Sequence, residues 1–300
     1  MPQTAVPSLD PARFAAEYLT PGFPVVVRGA LADWAAAPPW DLASLGARFS
    51  DHRVPLYDTL FSLQKVSTFG EYVDAYTDRS GTAAGAPPYL RWFTRQSRDR
   101  MPWADEAFAE LADDWSMPSW LPDSDYVFPR LPGPADPTRD AFPARGLFVC
   151  GAGGRTRLHV DPWASDACLC QITGSKRFVM YPPDAAPLLS DRTGTLVDPE
   201  EPDDARFPRW RTAQPAFEEI VGPGDAIFIP AGWHHAAVAL SDSISLTWNF
   251  VHRTHEQRFT QYLRAGGSAD PIVAYFRSTA LNRPALKRPP GQPASAASPR

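Results

Sequence analysis

The stretch RTRLHVDPWASDACLCQITGSKRFVMYPP at 155–183, together with GDAIFIPAGWHH at 224–235, decides the fold. Within it the apolar runs 157–160, 167–172 and 177–181 are short and stop at turn residues such as Asp161-Pro162 and Gly174-Ser175. Runs of the same kind recur at 147–149, 217–221, 226–229, 235–240 and 244–250. Eight short strands at such spacing predict a sandwich or jelly roll. The expected fold class is mainly β with flanking helices, built on a double-stranded β-helix core over residues 146–252.

Outward from that core the texture changes. Phe14, Ala15, Tyr18 and Leu19 fall on one face of a helix over 11–19, with Asp10 as its N-cap. The run 24–27 predicts a short buried strand, and helical spacing returns at 42–49, 69–76 and 103–111. Residues 1–145 are therefore expected as a mixed α/β segment packed on the core, and 253–282 as C-terminal helices. The proline-rich end, PPGQPASAASPR, predicts a disordered tail over 283–300.

Composition bounds the partners. The 300-residue chain is 44% hydrophobic and carries a formal charge of −5, which leaves no basic surplus for a phosphate backbone. Nucleic acid is not expected as a partner. Cys150, Cys168 and Cys170 are too few and too clustered for a disulfide framework. No apolar stretch approaches the roughly 18 residues of a membrane helix, and the N-terminus lacks a basic-then-apolar leader pattern. A cytoplasmic protein without membrane contact is the expectation.

His159 and Asp161 stand two apart in a segment with strand character, so their side chains share a face and can meet one ion. A third histidine follows the turn Pro230-Ala231-Gly232-Trp233, where His234 and His235 are adjacent and pleating lets only one look inward. An HxD pair alone is common, and a lone buried histidine is more often a hydrogen-bonded core residue. Two imidazoles and one carboxylate on one side of an ion, however, suit a non-heme iron(II) that keeps positions open for a second ligand and dioxygen. Lys176 begins the next apolar run, where its ammonium can point into the same cavity and pair with a carboxylate.

HVD at 159–161, QITGSKRFVMYPP at 171–183, GDAIFIPAGWHH at 224–235, SISLTWNF at 243–250 and FPVVVRGALADW at 23–34 together resemble the JmjC hydroxylases, in particular their cupin-like branch. The resemblance covers most of residues 10–255. It implies iron(II) held by His159, Asp161 and His234, with family spacing selecting His234 and leaving His235 on the outer face. It also implies 2-oxoglutarate on Lys176, with hydroxyl groups of Thr156 and Tyr89 on the same carboxylate and Asn249 near the co-substrate. It further implies dioxygen as the other co-substrate, with succinate and carbon dioxide as products. Two departures concern the substrate rather than the metal. The stretch from His159 to Lys176 is two residues longer than in the asparaginyl hydroxylase of that branch and resembles the JmjC lysyl hydroxylases. Residues 167–169 also lack an asparagine common to both groups.

The resemblance implies hydroxylation of a protein or peptide side chain. The alternatives are a small-molecule substrate, either a free amino acid or a natural-product intermediate, and a metal-binding cupin without redox chemistry. N-methyl demethylation is open to the same chemistry. Helices after His252 form dimers in some members of the family, so a homodimer through them is a further expectation. The acidic run 198–204 is expected either to attract a basic substrate or to be a solvated loop.

Overall fold

The computed structural model describes residues 2–34, 40–77, 86–94, 101–129 and 145–274. In sequence order the N-terminal part supplies β1 (Ala5–Val6), α1 (Pro11–Phe14, continued by a wider helical turn over Ala15–Leu19), β2 (Val25–Val27), α2 (Leu42–Arg48), β3 (Arg53–Tyr57), β4 (Leu63–Thr68), α3 (Phe69–Tyr76), β5 (Tyr89–Phe93), α4 (Asp105–Glu110) and β6 (Tyr126–Phe128). The core follows as β7 (Arg145–Cys150), β8 (Arg155–His159), β9 (Asp166–Thr173), β10 (Lys176–Tyr181), α5 (Ala186–Leu189), β11 (Phe217–Val221), β12 (Ala226–Ile229), β13 (His234–Ala239) and β14 (Ser243–His252), and α6 (Glu256–Arg264) lies beyond it.

Two sheets face each other. The larger runs β1-β2-β12-β9-β14-β7-β5-β3-β4, with β6 beside β14, and the smaller runs β11-β10-β13-β8. Each run predicted as a core strand is one. The helical spacing at 11–19, 42–49 and 69–76 is realised too. Strands β3, β4 and β5, which the periodicity does not single out, prolong the larger sheet. Residues from 275 onward, including the predicted tail and the end of the C-terminal helical stretch, lie outside the described residues.

Period-two alternation divides the apolar residues into layers. Leu169, Phe178, Ile227, Ile229 and Ala237 meet between the sheets. Their neighbours Cys168, Cys170, Phe228, Leu246 and Trp248 point to the other side of the larger sheet, where Phe14, Tyr18, Phe108 and Trp120 cover them. The outer face of the smaller sheet carries Leu158, Tyr181 and Ala236, covered by Leu189, Val197 and Phe207. Both sheets are thus buried on both faces over much of their area, which explains why the core strands read as nearly continuous apolar runs.

Asp10 accepts the Arg13 N–H at 2.9 Å and caps α1, as the sequence predicts. Thr68 and Glu71 form a reciprocal capping box on α3. The turn joining β9 to β10 depends on Gly174, whose φ is +69° and where an added Cβ would run into the Asp242 carbonyl oxygen. Gly194, in a solvent loop, also has positive φ (+82°) but open space around it. Gly194→Ala should therefore cost only the left-handed strain, about 1–2 kcal/mol. Gly174→Ala should cost clearly more, because the backbone of the β13–β14 turn must also move. Urea midpoints of the two variants check this ordering.

Candidate metal centre

The cavity between the sheets encloses about 490 Å³, its open mouth included. The smaller sheet contributes Thr156, His159, Lys176, Phe178, His235 and Ala237, and the larger contributes Tyr89, Ala167, Leu169, Thr247 and Asn249. Every sequence-predicted site residue lines it except His234.

β13 pairs antiparallel with β8 so that His235 lies directly opposite His159. Paired residues in antiparallel strands project to the same face. The two imidazole centroids stand 4.2 Å apart, and Asp161 Oδ1 lies 3.8 Å from His159 Nε2 and 3.9 Å from His235 Nε2. These three residues each bring a ligand atom within 4.8 Å of the other two. The expectation that His234 completes the set is corrected accordingly. His234 shares the alternation phase of Ala236, whose side chain joins the outer cluster with Tyr181 and Leu158, and it pairs across to Tyr181 on β10. It is buried on the wrong side of its strand.

The same pairing explains Thr156. It stands three positions before His159, an odd spacing that would put the two on opposite faces of a regular strand. The register shifts between the His235↔His159 and Ala237↔Thr156 pairs, and this bulge restores both to the cavity side.

Each candidate imidazole is oriented from behind. His159 Nδ1 donates to the Arg157 carbonyl at 2.8 Å, and His235 Nδ1 donates to the Trp233 carbonyl at 3.1 Å. A carbonyl can only accept, so the proton sits on Nδ1 and the lone pair on Nε2, the atom facing Asp161. Burial and the neighbouring His235 hold the His159 pKa well below its usual value, keeping the ring neutral as a metal ligand requires.

The turn after Asp161 is strained, with positive φ at Trp163 (64°) and Ala164 (48°). Ser165 bonds back to the Pro162 carbonyl at 2.7 Å, and Asn249 donates to the Ser165 hydroxyl at 3.2 Å. Trp163 is seated among Phe128, Val251 and Phe259 of α6. The loop before His235 is fixed as well: Asp166 accepts the Ala231 N–H at 2.9 Å and holds His255 at 2.7 Å, while Arg258 reaches the Ala231 carbonyl at 2.9 Å.

Lys176 is 1% exposed. Its ammonium donates to Ser245 Oγ at 2.6 Å, Ser245 donates to Gln171 Oε1 at 2.9 Å, and the Gln171 amide is anchored by the Thr173 and Gly174 carbonyls. The Tyr89 ring lies 5.2 Å from Nζ. Burial lowers the Lys176 pKa and raises that of Tyr89. Among the described residues no carboxylate pairs with this ammonium, and a buried cation with only neutral donors and acceptors is suited to an anionic ligand.

Ser245, Gln171, Arg91 and Phe61 belong to the site but are not singled out as site residues by the sequence. Alternation could have found three of them, since Ser245 shares the phase of Asn249, Gln171 that of Leu169, and Arg91 that of Tyr89. Phe61 comes from the β3–β4 turn and sits 4.7 Å from the His159 ring through tertiary contact alone. The acidic run 198–204 is largely neutralised within the fold: Asp198 pairs with Arg155 and Arg157, Glu200 with Arg177, and Asp204 with Arg211.

Residues 11–256 match the cupin-like domain family, and the protein belongs to it. Among curated proteins it is 29% identical over 149 residues to the chicken 2-oxoglutarate and iron-dependent oxygenase JMJD4, covering 46% of this chain and 35% of that one. It is 26% identical to the Arabidopsis thaliana arginine-specific demethylase JMJ20, over 80% of this chain and 54% of that protein. It is 24% identical to the Caenorhabditis elegans bifunctional arginine demethylase and lysyl-hydroxylase psr-1, over 79% and 58% respectively. The matches span roughly a third to three-fifths of the length of these relatives.

The pairing register carries a direct test. His235→Ala and Asp161→Ala should each weaken divalent metal binding by tenfold or more, whereas His234→Ala should leave it within a few-fold. Calorimetric titration of the three variants with nickel(II) measures the asymmetry, and the opposite ordering would return the ligand role to His234.

Proposed function

We propose that this protein is an iron(II)- and 2-oxoglutarate-dependent oxygenase that hydroxylates a C–H bond of a protein or peptide side chain. One observation carries the proposal: a buried ammonium, Lys176, lines the same cavity as the His159, Asp161 and His235 cluster. A cupin that merely holds a metal has no use for a buried cation there, whereas a dicarboxylate needs a metal at one end and a cation at the other. The names of the relatives support the same class, one joining iron to 2-oxoglutarate and two others naming arginine demethylation or lysyl hydroxylation.

His159, Asp161 and His235 would hold iron(II) through Nε2, a carboxylate oxygen and Nε2. With iron and 2-oxoglutarate bound, the site would acquire the means to reduce dioxygen while the 2-oxo acid is converted to succinate and carbon dioxide. The protein's own residues do the positioning. Lys176 takes the distal carboxylate, with Thr156 and the Tyr89 hydroxyl as further donors lining the cavity. Ala167, Leu169, Phe178 and Ile229 present apolar walls that keep bulk water from the reacting atoms. Asn249, through Ser165, steadies the turn that aims Asp161. Oxidation of an N-methyl carbon would use the same groups and differ only in which C–H the substrate presents.

Iron(II)-loaded protein should release succinate from 2-oxoglutarate, and zinc, which such N and O donors bind at least as tightly, should occupy the site and inhibit. Undiminished succinate release in the presence of a strong chelator would remove the proposal. Losing one partner of a buried ion pair costs on the order of 3–5 kcal/mol, roughly a hundred-fold to several-thousand-fold in affinity. Lys176→Ala should raise the 2-oxoglutarate requirement by about that factor while metal binding stays intact. Lys176→Arg should recover only part of the loss, because a planar fork replaces a point charge.

A further inference from the structure

β5 sends alternate side chains to opposite sides: Leu90 and Trp92 enter the large core, and Tyr89 and Arg91 line the cavity. Lys176 and Arg91 are thus two cations in one cavity. The Arg91 guanidinium carbon lies 3.9 Å from the Phe61 ring centroid and 4.6 Å from that of Phe148. Its Nε is buried without a hydrogen-bond partner, and among the described residues no acid forms an ion pair with it. Burial lowers its pKa to about 10, with Tyr57 and Asp161 as the nearby groups that favour its charge. It remains cationic at neutral pH. Asp161, the one acid lining this cavity among the described residues, is a metal ligand in the proposed function and so does not neutralise Arg91.

The rim above Arg91 is built to stay. Phe61 adopts positive φ (66°), held by Asp58, which accepts the Leu60 and Ser62 N–H groups at 2.8 and 2.9 Å. Arg157 N–H donates to the Thr59 carbonyl at 2.9 Å and ties this turn to β8 beside the metal cluster. The guanidinium is therefore fixed between aromatic rings near the reacting centre, with no acid among the described residues to pair with it. A planar fork of that kind matches a carboxylate. A 2-oxo dicarboxylate engages the metal with one carboxylate and Lys176 with the other, so the partner for Arg91 must come with the substrate.

We propose that Arg91 is a specificity-determining residue that binds a carboxylate of the substrate, so that this oxygenase selects an acidic target. The proposal rests on the oxygenase function and deepens it. It sets the protein apart from relatives named for arginine and lysine, since a cationic side chain approaching the metal would pass a like charge. The pairing of most of the 198–204 acids with arginines weakens the feature that would otherwise draw a basic substrate. The carboxylate can come from an Asp or Glu side chain or from the free C-terminus of a peptide.

The 300-residue protein, loaded with redox-inert nickel(II) and 2-oxoglutarate, is titrated calorimetrically with short alanine-based peptides. One set is blocked at both ends with a central Asp or Glu, one is neutral with a free C-terminal carboxylate, and one is blocked with a central Lys or Arg. At least one carboxylate set should bind tenfold or more tightly than the basic set, and which set does so identifies the source of the carboxylate. Arg91→Gln should abolish the preference. Arg91→Glu should invert it, a gain of basic-peptide binding that misfolding cannot produce. Equal or absent binding of the carboxylate peptides to the unaltered protein, or a preference that survives Arg91→Gln, would overturn the proposal. Absence of succinate from the iron-loaded protein would instead remove the oxygenase function, while the binding result on the nickel-loaded protein would still report on Arg91.

Discussion

The pairing of β13 with β8 is the constraint on which the site depends. Placing His235 opposite His159 sends both imidazoles to one side of the smaller sheet and brings Asp161, just past the end of β8, within 4 Å of each. A slip of one residue would carry both His235 and Ala237 to the outer face and move His234 and Ala236 inward. The fold resists that slip because Ala236, Leu158 and Tyr181 already form a packed outer layer with Leu189 and Val197. The register of the candidate metal ligands is thus held by apolar burial of their immediate neighbours on the opposite face of the sheet.

Around that pair the fold arranges support at increasing distance. Backbone carbonyls of Arg157 and Trp233 select the imidazole tautomers. Asp166, His255 and Arg258 fix the turn that leads into His235, and Asn249 with Ser165 fixes the turn that leads out of Asp161. Positive φ at Trp163 and Ala164 costs on the order of 1–3 kcal/mol each, offset by seating Trp163 in the cluster with Phe259. These contacts join β9, β14 and α6 to the site, so the C-terminal helix supports the loops that carry the candidate metal ligands.

Electrostatics inside the cavity follow one pattern. Lys176 is buried among neutral partners and Arg91 is enclosed by aromatic rings, while the acids of the 198–204 loop are paired with arginines outside. Two desolvated cations beside one carboxylate make a cavity that favours anions. Such a cavity can take a dicarboxylate and still offer a charge to a second acidic molecule.

Much of this was legible in the residues themselves. Short apolar runs mark eight core strands because a strand buried on both faces tolerates few polar positions. The spacing of two between His159 and Asp161 points both to one face, although the strand ends at His159 and Asp161 reaches the site from the turn just past it. Lys176 is placed at a strand start by its apolar run. Thr156, Tyr89 and Asn249 came from resemblance alone, and all three line the cavity. The choice between His234 and His235 was different in kind. Alternation says that one of two neighbours looks inward but not which, because the phase of the pleat is set by what packs on each face. That depends on strands and loops far away in sequence. Phe61 reaches the site for the same reason, brought beside His159 by the β3–β4 turn, which only the tertiary structure decides.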